Sequence, residues 1–259
     1  MNAEAKTTAM TDWKEEMARQ AAAAAMYEQP TGRFISLKGG VISISNTPVP
    51  NNTIQGVIVD YCHESRFYPG AYDPDNRSGP DCYAFSRTGE HMTPHDDSGE
   101  KQHTSCQGCP QDEWGSGSGR GKACKQGRRL AILPSSALAE GPEGILTADT
   151  YFMFIPVTSV PNWQGHVNIC NAVAKMPPYG VLTEITAKPD AKTMFKVLFA
   201  FKETLTEEQI RAIFDKRKML GDAGLMFPFP KLDSEAKAAA AQAAEAAAAR
   251  KANAKYKRK

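Results

Sequence analysis

The sequence predicts an α+β fold, because strand patterns bracket a long unpatterned region and helix signals stand among and beyond them. Apolar or alternating runs of strand length occur at 33–37, 41–45, 53–61, 130–133, 151–157, 180–187 and 194–202. Spacing of 3.6 residues and capping signals follow Ser159 and Thr206.

Taken in order, residues 1–32 read as an alanine-rich helical extension, with Asp12 as cap, Glu15 three residues on and Pro30 at the end. A core over 33–230 follows. It starts with a hairpin in which "RFISL" and "VISIS" flank a Lys38-Gly39-Gly40 turn. Residues 53–61 form the next strand.

From 62 to 129 periodicity vanishes, and Gly, Pro, Asp, Ser, Cys and His dominate. A loop of that length inside a compact domain needs something other than an apolar core to order it, and a metal would serve. Strands resume with "LAIL" and "YFMFIPV". Ser159 then caps a helix whose Trp163, Val167, Cys170 and Ala174 share a buried face, until Pro177-Pro178 stops it.

In the second of the two following strands, Phe195, Val197, Phe199 and Phe201 alternate with residues that include Lys196 and Lys202. Thr206 and Gln209 make a capping box, Leu205 and Ile210 a hydrophobic staple, and Gly221 the expected stop. Within the tail at 231–259, the chain from about Asp233 is nearly all alanine with scattered Lys, Glu and Gln, and has no Leu, Ile, Val or Phe with which to dock. It reads as solvated and partly helical.

The 259 residues carry a net charge of only +2, so any nucleic-acid surface must come from local clustering. No run reaches the roughly 18 apolar residues of a membrane span. The N-terminus lacks the basic and apolar regions of a secretory signal, which points to the cytoplasm. In a reducing compartment, clustered cysteines are metal ligands or redox groups more often than disulfides.

Six cysteines are present, of which Cys170 reads as a small core residue on its helix. Cys106-x-x-Cys109 lets two thiolates reach one tetrahedral ion, and Gly108 eases the turn. Cys82 and Cys124 complete a four-cysteine structural zinc site, in which Cys62, His63, His91, His95 or His103 could replace a member. A redox role would place the pair at a helix start after a βαβ pattern, and here Pro110 leads into a glycine loop. Four thiolates also leave no open position for chemistry at the metal.

Arg120, Lys122, Lys125, Arg128 and Arg129 lie within ten residues without an acid among them. Fixed on an ordered loop, such charges suit a phosphate backbone. Upstream, "DYCHESRFYPGAY" interleaves Tyr61, His63, Arg66, Phe67, Tyr68 and Tyr72, and Trp114 stands in the glycine loop. Arg66, Phe67, Tyr68 and Trp114 are candidates to pair with or stack on unpaired bases, alongside the basic run.

Together, "VIVDYCHESRFYPG…GPDCYAF…CQGCPQDEWGSGSGRGKACKQGRRLAIL" resembles a family of tailed-phage single-stranded DNA-binding proteins. The resemblance spans residues 34–220 and is most specific at 82–133. In plan it is similar to phage helix-destabilising proteins. It implies an OB-fold-like β-barrel with a zinc module inserted at about 62–129 and flanking helices. It also implies zinc on Cys82, Cys106, Cys109 and Cys124, with Lys122, Lys125, Arg128 and Arg129 near the DNA.

By that resemblance the partners are single-stranded DNA and phage replication or recombination proteins in the bacterial host cytoplasm, and the chain is not an enzyme. It departs from the family in ending on the basic "KANAKYKRK" where many members have an acidic tail. The rival readings are a zinc-ribbon adaptor for a replication or transcription partner, and a metal-dependent nuclease using Asp73, Asp75, Asp81, Asp96 or Asp97.

Overall fold

The computed structural model describes residues 33–70 and 79–226. The helix expected over residues 1–32, the tail at 231–259, and Tyr72, Asp73 and Asp75 lie outside the described residues. One sheet holds β1 (Phe34–Lys38), β2 (Val41–Ile44), β3 (Thr47–Pro48), β4 (Thr53–Phe67), β5 (Cys82–Ser86), β6 (Lys125–Pro134), β7 (Tyr151–Pro156), β8 (Val181–Asp190) and β9 (Met194–Thr204). The α-helices among the described residues are α1 (Ser136–Ala139), α2 (Gly141–Thr147), α3 (Val160–Ala174) and α4 (Glu207–Leu225).

The strand order is β3-β2-β1-β7-β6-β4-β8-β9, with β5 paired to β4 off this path, and only β1 and β7 run parallel. The fold is therefore mixed α+β, and the sheet curls into a half-barrel. Asn52 ties the curl: its Nδ2 donates to the Gly40 and Ala187 carbonyls at 2.7 Å, and its Oδ1 accepts from the Ile42 N–H at 2.6 Å. One side chain thus joins β2 to β8 across a gap that no ladder bridges.

The concave face buries Ile35, Ile42, Ile58, Leu130, Ile132, Met153, Ile155, Ile185 and Val197. Trp163 of α3 enters this core, with Tyr61 edge-on at 5.0 Å and Phe199 at 5.5 Å. On the convex face Val57, Val59 and Leu133 pack under Ala137, Ile145, Ala212 and Ile213 of α1, α2 and α4. A third cluster sets Cys62, Ala131 and Phe152 beneath Leu225.

β4 carries a register shift between Ile58 and Asp60. Before it, Ile58 faces the concave core while Val57 and Val59 face outward; after it, Tyr61 faces inward and Cys62 outward. A bulge adds a residue and so reverses the alternation. It puts His63, Ser65 and Phe67 on the concave side, and Glu64 and Arg66 on the convex side.

Three expectations change. The unpatterned region begins later and ends earlier than 62–129, because 62–67 continue β4, 82–86 form β5 and 125–129 open β6. These segments are polar yet flanked by partner strands, so ladder bonds hold them. Ser159 makes no capping bond to α3; its Oγ accepts instead from the Val197 N–H at 3.0 Å, while Asn162 Nδ2 donates to the Val197 carbonyl. The helix start thus covers the outer edge of β9. Gly221, at φ 53 and ψ −173, does interrupt the helix as expected, but a second helical segment follows it to Leu225.

The Thr206 capping box is formed in both directions, at 3.0 and 3.3 Å. Among the described residues no helix is long and apolar enough to cross a membrane.

His166 lies in the core at 1% exposure, its Nε2 3.0 Å from Thr183 Oγ1. Burial pushes its pKa down to about 4. Between that value and the unfolded value near 6.5 the unfolded chain binds more protons, so stability holds above pH 6.5 and falls as pH drops toward 4. Denaturant midpoints measured over this range are expected to show a loss of up to about 3 kcal/mol that His166→Gln lacks. Equal slopes in the two proteins would contradict it.

Candidate metal centre and basic face

Strand ends and a loop bring four cysteines to one cavity of about 20 Å³, room for roughly one water-sized body. Cys82 begins β5, Cys124 immediately precedes β6, and Cys106 and Cys109 sit in the intervening loop. The Cys109 N–H reaches the Cys106 carbonyl at 3.4 Å, and Gly108 at φ 77 makes the turn that a side chain would strain. Backbone bonds from Cys106 to Met92 and from Cys124 to Gln111 fix the loop. Those from His95 to Tyr83 and Glu100 to Asp81 tie it to β5.

All six cysteines are free, so the disulfide reading has no support in the fold. Burial, Cys82, Cys109 and Asp112 push the Cys106 thiol up to about 11. Burial, Asp112 and the other three thiols push Cys124 up to about 12. Burial also raises Cys82, against a hydrogen bond from the Gln102 backbone that favours the thiolate. The donor set is thus all sulfur, mutually repelling once ionised, and suited to a soft dication.

Among the described residues no group of three or more His, Cys, Asp or Glu side chains is assembled that could hold a metal ion as it stands. The thiols share a cavity without closing on a common centre. The fit therefore rests on the identity of the donors and on the cavity they share.

The alternative ligands separate. Cys62 is fully buried in the convex cluster, and His63, His91 and His95 do not line the cavity; His95 stacks on Tyr83 at 5.1 Å. Only His103 lines it, with Nδ1 2.9 Å from the Ser105 carbonyl.

The basic run divides by strand alternation. Arg129 is fully buried, which corrects its expected place on the DNA surface. Its Nε donates to Glu64 at 2.9 Å and its Nη1 to the Leu225 carbonyl at 3.1 Å, and its guanidinium lies 4.3 Å from the Phe85 ring centre. Arg66 shares the same carboxylate at 2.5 Å and covers Phe154 at 3.8 Å. Burial opposes the Arg66 charge, and Glu64 with Tyr68 more than restores it. Phe67 lines the cysteine cavity, a packing position instead of an open stacking platform.

Others remain at the surface. Trp114 is 80% exposed, with Lys122 Nζ 5.5 Å from its ring centre and 3.0 Å from Asp112. Arg120, Lys125 and Tyr68 are exposed. Arg128 is half-buried, donates to the Gly127 carbonyl at 2.9 Å, and has no carboxylate partner among the described residues. Burial lowers its pKa. Directly opposite on β4 sits His63, lowered by burial and by Arg128.

Glu64, the acid that organises Arg66 and Arg129, was not among the residues expected to matter. The signal was available as the only acid of "YCHESRFY". Compared with family models, curated proteins and solved structures, the chain matches none.

Purified protein is expected to hold about one zinc per chain. Serine at Cys82, Cys106, Cys109 or Cys124 should each abolish it, while serine at Cys62 should not; metal analysis decides, and full zinc in any of the first four overturns the ligand set. Glu64→Gln leaves the buried Arg129 without its counter-charge and is expected to destabilise the fold by about 3 to 5 kcal/mol, read by urea unfolding.

Proposed function

We propose that the chain is a non-enzymatic single-stranded DNA-binding protein of phage DNA replication and recombination, acting in the bacterial host cytoplasm. In this reading the half-barrel is an OB-like barrel, and the loop carrying Cys82, Cys106, Cys109 and Cys124 is its zinc module. Bound zinc would supply four bonds that fix the loop against β5 and β6.

Arg128 is the observation that carries the reading. A half-buried guanidinium with no carboxylate beside it among the described residues is costly unless an anion completes it, and a phosphate oxygen would supply that anion. It lies on β6, which exposed Lys125 opens directly after the loop that presents Arg120 and Trp114. Lys and Arg would hold phosphates in register while Trp114 stacks a base, an interaction contributing about 1 to 3 kcal/mol and open to any sequence. Duplex DNA hides its base faces, so this arrangement favours the unpaired strand.

Fluorescence anisotropy with a labelled oligonucleotide tests the proposal. Tight single-strand binding with weaker duplex binding is expected. Arg128→Ala should weaken it by at least about tenfold, since a hydrogen bond to a charged group contributes about 1.5 to 3 kcal/mol. Equal affinity for both forms would refute the reading, and absent DNA affinity with a stoichiometric protein partner would favour an adaptor.

A further inference from the structure

The hairpin of β8 and β9 breaks two local rules at one place. Asp190 and Met194 pair across its tip with three residues between them, and Met194 takes a left-handed conformation at φ 65. A left-handed residue at the end of a hairpin loop is ordinarily glycine, because a β-carbon there meets the backbone. Met194 is 76% exposed, so packing does not compensate the strain. Two residues further in, Lys188 and Lys196 are directly opposed, a like-charge pair that weakens a ladder.

Asp190 relieves Lys196 at 2.9 Å. Lys188 and Lys192 are exposed and have no acidic partner among the described residues. The tip is nevertheless fixed. Asp190 Oδ2 accepts from the backbone N–H groups of Lys192 and Thr193 and from the Thr193 hydroxyl, at 2.7 to 3.2 Å. Phe195 sits so close to Gly40 that a β-carbon on the glycine would lie 2.8 Å from it. Through Gly40 and Ala187, Asn52 locks both hairpins together.

The result is a hydrogen-bonded, exposed tip that presents three lysines against one acid, together with a bare thioether. Side chains that oppose the local fold and pack on nothing are retained where they meet a ligand. We propose that this tip is a second contact for the same DNA strand, with Lys188 and Lys192 on phosphates and Met194 against a base. The inference rests on the single-strand reading above. An anionic backbone matches the charge, and an unpaired base offers the apolar face that a sugar-phosphate surface alone lacks.

The test uses the full-length chain with oligodeoxythymidines of about 8 and about 30 nucleotides, a range that spans one or more single-strand binding sites. Lys188→Ala combined with Lys192→Ala should lower the salt slope for the longer strand by about 1.4, since each lost single-strand phosphate contact removes about 0.7. Binding of the shorter strand should hold. Met194→Gly should weaken the longer strand several-fold and yet raise the melting temperature by about 2 to 4 °C as the strain is released.

Longer-strand binding unchanged in both variants would overturn the second contact and leave the single-strand reading intact. A Met194→Gly protein no more stable than wild type would also overturn it. A wild-type chain that binds neither oligonucleotide would remove the reading on which it rests.

Discussion

A single extra residue in β4 governs how the two sides of this protein differ. The shift between Ile58 and Asp60 turns the strand over, so that Glu64 and Arg66 enter the convex side while Ser65 and Phe67 face the cysteine cavity and His63 shares their concave side. Without it, the acid would face the loop and the histidine would face α4. The bulge has its own anchor, since Asp60 Oδ1 accepts from the Tyr61 N–H and from Arg87 and Arg217. Arg217 comes from α4, so the helix and the bulge hold each other.

The same reversal sorts the arginines. Glu64 takes Arg66 and Arg129 into the interior, where a lone charge would be untenable. Arg128, one residue earlier on the other face, has no acid beside it among the described residues. Adjacent arginines in one basic run thus have opposite surroundings: Arg129 closes the convex core beneath Leu225, and Arg128 stays half-buried with a hydrogen bond to the Gly127 carbonyl.

Much of the architecture was legible. The strands at β1, β2, β7, β8 and β9 and the helices α3 and α4 follow from apolar period and capping, because each buries one face. Cys82, Cys106, Cys109 and Cys124, grouped by type and spacing in the sequence, line one cavity. What escaped was strand structure in polar sequence. Residues 62–67 and 125–129 carry no apolar alternation, since their partners are buried ions and a thiol cavity instead of a hydrocarbon core. A charge run read as one surface therefore hid the two-residue period that separates Arg128 from Arg129. The short helices α1 and α2 contain Pro142 and two glycines and gave no periodic signal.

In the proposed function, the loop's thiols would hold one ion and its charges would grip an unpaired strand. The most direct test is oligonucleotide affinity across a salt series before and after the metal is stripped by a chelator, with circular dichroism following the sheet. The account predicts that stripping lowers both the affinity and its salt slope while the sheet remains. Unchanged affinity and slope in fully metal-free protein would contradict it.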